Sequence, residues 1–143
     1  MARDTDDAPG ADDAAEPGAS VLSRVSTEMV QATRRHYGKG PVSAKSYFVD
    51  DLLFVVMRGG ITQAERTMLD AGREDSVRGF RQEFESEVAE PLIRMVERVT
   101  GRHVINYHSQ MLFDPDMTTE IFVFDEQHPS AVDLDDTKPI RES

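Results

Sequence analysis

Residues 42–60, VSAKSYFVDDLLFVVMRGG, decide the fold class of this 143-residue chain. Along residues 42–49 apolar and polar side chains alternate, and many of them favour strands. Asp50-Asp51 supplies a turn. Residues 52–58 are almost continuously apolar, which is typical of a central strand covered on at least one face. Gly59-Gly60 ends the run. The stretch therefore predicts a β-hairpin.

A helix is predicted on each side of this hairpin. Before it, apolar residues recur at three-to-four spacing from Ser20, a candidate N-cap, to Gly38, a candidate left-handed C-cap. After it, Thr62 and Glu65 show the capping-box pattern, in which a hydroxyl and a carboxylate each satisfy a free backbone donor. We expect this second helix to pause near Gly72.

The most regular pattern in the chain predicts a long helix. Its apolar residues share one helix face, and they are Val77, Phe80, Phe84, Val88, Leu92, Met95 and Val99. Pro91 lacks a backbone N–H, so it predicts a kink or a break at the preceding turn. Gly101 ends the helix.

Two further strands are expected at residues 103–113 and 120–125, around the turn signal Asp114-Pro115-Asp116. The order of elements is then α-β-β-α(α)-β-β. Two such hairpins most simply merge into a four-stranded antiparallel sheet with the helices packed on one face. The sequence therefore predicts an α+β fold.

Composition predicts one domain between two acidic tails. Residues 1–19 hold six acids against one Arg, and residues 127–143 hold four acids against one Lys and one Arg. Of the formal charge of -11, these segments carry -5 and -2, which leaves only -4 for residues 20–126. Because the tails have few apolar residues to bury, we expect them to be disordered and residues 20–126 to form a single α+β domain.

Several classes of protein are disfavoured by the same composition. The net acidic core argues against a nucleic-acid binder, and four aromatic residues of the predicted strands, Tyr47, Phe48, Tyr107 and Phe122, are more typical of a core than of an RNA-stacking surface. Without cysteine there is no thiolate nucleophile and no Cys-type zinc site. No secretory signal and no membrane-length apolar run is found, so we expect a cytoplasmic location.

Residues 20–125 resemble the bacterial and archaeal MpsC family. The resemblance is carried by the order and spacing of short motifs at residues 38–41 (GKGP), 58–60 (RGG), 61–65 (ITQAE), 77–81 (VRGFR), 96–104 (VERVTGRHV) and 121–124 (IFVF).

This family takes its name from a sodium-translocating, membrane-potential-generating system in which the small protein accompanies integral membrane subunits. The resemblance implies an accessory or regulatory role beside an ion-translocating complex. It implies no established biochemical activity. Some relatives resemble two such domains in tandem, so a single copy suits a homodimer.

Five basic residues are candidates for contact with a ligand or partner. Lys39 lies in the Gly-Lys-Gly-Pro corner, with Arg34 and Arg35 at the end of the preceding helix. Phosphate loops lie at helix N-termini, whereas this corner follows a helix C-terminus, so a structural turn is favoured. The remaining functional hypothesis is an exposed cation that contacts an acidic partner.

Arg78 and Arg81 lie one turn apart on the long helix and allow two interpretations. Together they can clamp a carboxylate or phosphate. They can also pair with nearby acids of the same helix, Glu74, Asp75 or Glu85, and such surface pairs are common, so this interpretation is favoured.

No catalytic, metal-binding or cofactor-binding residues are predicted. His103 and His108 are five residues apart in one predicted strand and point to opposite faces, and no Gly-x-Ser-x-Gly elbow occurs. The paired acids at residues 50–51 and 114–116 are typical of turns.

Two functional hypotheses follow. The favoured one is a non-enzymatic, dimeric interaction domain that associates through its sheet, by an edge or by the uncovered face, beside membrane subunits of an ion-translocating complex. It would be peripheral to the membrane through a protein partner. The alternative is a sensor or enzyme for a small anionic ligand that uses Lys39, Arg78 and Arg81.

Overall fold

A computed structural model describes residues 17–126. It contains three helices and four strands in the predicted order: α1 (Pro17–Tyr37), β1 (Ser43–Val49), β2 (Leu52–Arg58), α2 (Gln63–Asp70), α3 (Glu74–Thr100), β3 (Val104–Phe113) and β4 (Asp116–Phe124). Most of the two predicted acidic tails, residues 1–16 and 127–143, lies outside the described residues.

The four strands form one antiparallel sheet in the order β1-β2-β4-β3. The two hairpins join where β2 pairs with β4, so both of these strands are bonded on each side. Leu53, for example, lies opposite Phe48 on β1 and Phe122 on β4. The predicted α+β fold with a four-stranded sheet is confirmed.

Helices α1 and α3 pack against one face of this sheet and enclose the core with it. The largest fully buried side chains come from both layers and are Phe122, Phe124, Met29, Leu53, Val25, Val55 and Val96. Side chains alternate along a strand, so residues 53, 55 and 57 of β2 point into the core while 52, 54 and 56 point away.

The other side of the sheet is mostly apolar, and we call it the open face. Its four rows across the strands, read in the order β1, β2, β4, β3, are Val49-Leu52-Val123-Asn106, Tyr47-Phe54-Ile121-His108, Lys45-Val56-Thr119-Gln110 and Ser43-Arg58-Met117-Leu112. Among residues 17–126, the helices pack against the opposite side.

Several boundaries differ from the prediction. Helix α1 begins at Pro17, so Ser20 lies inside the helix and is not its N-cap. Strand β4 begins at Asp116, four residues early, because residues 117–119 pair with β2 although they lack an apolar pattern. Helix α3 is unbroken through Pro91, since buried side chains on both sides of the proline hold it against the sheet.

Other local predictions are confirmed. The capping box at Thr62 and Glu65 is formed, the helical region is interrupted near Gly72, and Gly38 and Gly101 adopt the left-handed conformation at helix ends. Asp50 in the first turn also has a positive φ of 54°. The peptide bond between Asp114 and Pro115 in the second turn is cis.

Gly59 offers a test of the junction between β2 and α2. Its φ is +81°, and a Cβ there would lie 2.6 Å from Cγ2 of Val42. We expect Gly59→Ala to lower the free energy of unfolding by about 1 to 3 kcal/mol in urea titration, through left-handed strain and the clash. Gly60→Ala is the control, because a Cβ at Gly60 meets nothing within 4 Å. Equal effects of the two substitutions would contradict this account.

Candidate functional site

The Arg81 side chain links three parts of the fold. Its Nε donates to Oε2 of Glu65 at 2.5 Å, and its Nη2 donates to Oε1 of Glu65 at 2.6 Å and to the carbonyl of Gly60 at 3.0 Å. The guanidinium lies 4.1 Å from the ring centre of Tyr37. Helix α3 is thereby tied to α2, to the end of the first hairpin and to the end of α1.

The Glu65 carboxylate is held in place by the capping box with Thr62 as well as by Arg81. Thr62 N–H donates to Oε1 of Glu65 at 2.9 Å, and Glu65 N–H donates to the Thr62 hydroxyl at 3.2 Å. Burial alone would raise the pKa of Glu65, but the hydrogen bonds from Arg81 and Thr62 hold this pKa below its usual value. The two side chains therefore form a charged pair that is about nine-tenths buried.

A small cavity of about 80 Å³ lies beside Arg81, between α3 and the sheet. Glu120 of β4 points into it and is almost fully buried. The Tyr107 hydroxyl donates to Oε1 of Glu120 at 2.5 Å, and the Ser109 hydroxyl donates to Oε2 at 3.2 Å. We call this group, together with Glu85 of α3, the Glu120 cluster.

Burial raises the pKa of Glu120 to about 7, although the hydrogen bonds from Tyr107 and Ser109 and the charge of Arg81 lower it, and the nearby charge of Glu85 adds to the rise. Burial also raises the pKa values of Glu85 and Tyr107. The cluster can therefore bind and release a proton close to neutral pH. In the part of the chain that the structure describes, no group of three His, Asp or Glu residues is placed to hold a metal ion.

Lys39, Arg78 and Arg81 each have hydrogen-bond partners within the protein. Lys39 is exposed, and its Nζ donates to the carbonyl of Ile61 at 3.0 Å. Arg34 and Arg35 are exposed on the last turn of α1. Arg78 donates to Glu74 at 2.8 Å, which confirms the same-helix pairing favoured for it, and to the carbonyl of Met111 at 3.0 Å.

The same-helix pairing favoured for Arg81 is wrong, because its carboxylate partner, Glu65, lies on another helix. Both Arg78 and Arg81 thus have carboxylate partners within the protein. Joint binding of an external anion by Lys39, Arg78 and Arg81 stays a prediction.

The Glu120 cluster was missed at the level of sequence, although one signal was present. Glu120, Phe122 and Phe124 alternate in the last predicted strand, and this period of two places Glu120 on the same face as two core aromatics. A carboxylate in that register is buried. Its partners Tyr107 and Ser109 come from another strand and become visible only once the register of β3 and β4 is known.

Taken together, the fold and these sites define a small two-layer α+β domain that has a buried proton-binding cluster and an apolar sheet surface. A family model described as "Na+-translocating membrane potential-generating system (MpsC)" matches residues 19–126. The chain belongs to this family, which confirms the resemblance found in the sequence.

Relatives add little about activity. The uncharacterized protein YbcI of Bacillus subtilis (strain 168) is 26% identical over 95 residues, which cover 64% of this chain and 75% of YbcI. No solved structure matches the chain. Within residues 17–126, no helix combines the length and the apolar character needed to cross a membrane.

The raised pKa of Glu120 predicts a specific pH dependence. The folded chain holds this proton more tightly than the unfolded chain, so the contribution to stability is full below about pH 4.5 and is lost as the pH rises through about 7. Glu120→Gln removes the titration and can still accept the Tyr107 bond. We expect wild type to lose roughly 2 to 3 kcal/mol more unfolding free energy than Glu120→Gln between pH 5 and 8.

Denaturant titrations at several pH values measure this difference. Glu83→Gln, at an exposed position of α3, is the matched control and should keep the wild-type pH dependence. A Glu120→Gln profile parallel to that of wild type would show that Glu120 titrates normally.

Proposed function

We propose that this protein is a non-enzymatic accessory domain that forms a homodimer through its open face and associates with membrane subunits of an ion-translocating complex. The observation that carries the proposal is the open face itself. A sheet that is covered on one side is expected to present polar residues on the other. This sheet presents apolar ones at the centre of that side.

The apolar residues of the open face are concentrated at its centre. Phe54, Val56 and Ile121 lie on the two inner strands, and Leu52 and Val123 lie beside them in the next row. Polar residues occupy much of the border, namely Lys45, Arg58, Asn106, His108 and Gln110. An apolar centre with a polar rim is the usual composition of a protein interface.

The area is sufficient for a dimer. Four strands at about 4.8 Å spacing and seven residues at about 3.3 Å give a flat area of about 400 Å². Two such faces bury on the order of 1,000 Å² in total when their side chains interdigitate, which reaches the lower range of specific interfaces. Sheets pack in this way in β-sandwiches.

Pairing through the strand edges is less favourable than pairing through the face. The edge strand β1 carries Lys45 next to its central residue, and a charged side chain there opposes the approach of a second strand. Strand β3, at the other edge, has a bulge between Val104 and Asn106 that interrupts its pairing geometry. The face is therefore the preferred contact.

Association with a membrane system is supported by the description of the family. Direct adsorption to the membrane is disfavoured, because a chain with a net charge of -11 is repelled by anionic lipid headgroups. We therefore assign the membrane contact to a protein subunit, and we place the domain at the cytoplasmic side of the complex.

The dimer is tested by light scattering of the full chain during size-exclusion chromatography at tens of micromolar. We expect twice the chain mass for wild type and the chain mass for Phe54→Lys, because a charge at the centre of the open face cannot be buried. Ser86→Lys adds the same charge on an exposed part of α3 and should remain dimeric. Circular dichroism must show that both variants are folded. A monomeric wild type would refute the proposal.

The membrane contact is tested by affinity capture of the tagged full chain from detergent-solubilised membranes of its source organism. Integral subunits of an ion-translocating complex should copurify in stoichiometric amounts and should be identified by mass spectrometry. Capture with the tag alone is the control. Enrichment of no polytopic membrane protein above that control would contradict the membrane role while leaving the dimer intact.

A further inference from the structure

A histidine lies beside the apolar centre of the open face. His108 of β3 belongs to the same row as Phe54 and Ile121, and it is directly opposite Ile121 on β4. Residues directly opposite each other point to the same side of a sheet, so the imidazole points away from the helices. His108 is exposed in the single chain. A contact that covers Phe54 and Ile121 therefore also removes water from His108.

The charge of this residue type changes near neutral pH. Histidine ordinarily gains a proton as the pH falls from about 8 to about 5. The other ionisable residues of the open face are Lys45, Tyr47 and Arg58. Over this pH range lysine and arginine are cations and tyrosine is neutral. Acidification therefore adds positive charge to the open face at His108.

The open face offers no carboxylate to pair with that charge. None of the residues in its four rows, all of which the structure describes, is Asp or Glu, although the chain has 27 acidic residues. In a homodimer the second face is a copy of the first. It therefore brings no carboxylate in any orientation, and it adds a second Lys45 and a second Arg58.

The acidic residues around the open face lie elsewhere. Asp50, Asp51 and Asp114 are in the turns at the two ends of the strands, and Asp51 is paired with Arg102 at 2.7 Å. Glu120 precedes Ile121 in the chain, but its side chain lies on the opposite side of the sheet, in the cavity beneath α3. A protonated His108 in the dimer contact is thus left without an opposite charge.

We propose that protonation of His108 weakens the dimer, so that acidification exposes the open face and neutral pH covers it. This inference rests on the proposed dimer and adds its regulation. A cation that is removed from water without a partner is costly, and two-fold symmetry repeats the cost in both copies. The neutral imidazole carries no such cost, because its one N–H can donate to a polar group of the rim.

The direction of the effect separates it from the net charge of the chain. Two copies with a formal charge of -11 each repel one another. Acidification protonates carboxylates and lowers this repulsion, so by itself it would tighten the dimer. Protonation of His108 acts in the opposite direction. A dimer that weakens at acid pH is therefore not explained by net charge.

Sedimentation equilibrium of the full chain measures the effect. The dissociation constant of the dimer is determined at about pH 8 and about pH 5.5 and at constant ionic strength. For wild type we expect this constant to be at least about tenfold higher at the acid pH, since a buried charge without a partner costs at least as much as an unpaired polar group. Circular dichroism at both pH values shows that the chain is folded.

Two substitutions fix the charge at this position. His108→Gln is polar and neutral, and it should dimerise at least as tightly at acid pH as at pH 8, because only the effect of net charge remains. His108→Lys is charged at both pH values and should be weak at both. His36→Gln is the matched control, since it removes a histidine from the last turn of α1 and should keep the wild-type loss. Glu120→Gln should keep it as well.

The outcomes separate this inference from the proposed dimer. A wild type that is monomeric at both pH values refutes the dimer and the inference together. A dimer whose dissociation constant is unchanged or lower at acid pH overturns the inference alone. The inference also fails if His108→Gln loses affinity at acid pH as wild type does. It fails too if Glu120→Gln abolishes the loss, because the proton would then act from the other side of the sheet.

Discussion

The bidentate ion pair between Arg81 and Glu65 is the contact on which the packing of α2 against α3 depends. Helix α2 has only eight residues, which is too short to be stable alone, and one end of it is held by a guanidinium from α3. Each charge is costly to bury without the other. This ion pair therefore helps to fix the position of α2 against α3.

Helix α3 relates the separate sites to one another. Its first half carries Arg81, its middle carries Glu85 beside the Glu120 cluster, and its last turns complete the core. Because α3 is unbroken through Pro91, these sites keep fixed relative positions. A two-layer architecture then leaves the far side of the sheet available, and the apolar side chains found there give this surface its proposed role as an interface.

The spacing of apolar residues and the residues typical of turns and helix ends predict most of the fold. The hairpin at residues 42–60, the capping box at Thr62 and the left-handed glycines are local signals, and local energetics decide them. The start of β4 is not predictable in this way, because residues 117–119 become a strand only through pairing with β2. For the same reason the ion pair of Arg81 and the partners of Glu120 could not be found, since they join residues far apart in the chain.

Strand β4 has an unusual position in this molecule. It is hydrogen-bonded along both edges, its inward side chains include the buried Glu120 and Phe122, and its outward ones include Ile121 at the centre of the open face. Most of its side chains therefore contact either the core or neighbouring residues of the open face. Substitutions should therefore be tolerated least along residues 117–123, and better along β1, which is hydrogen-bonded to another strand along one edge only among the described residues.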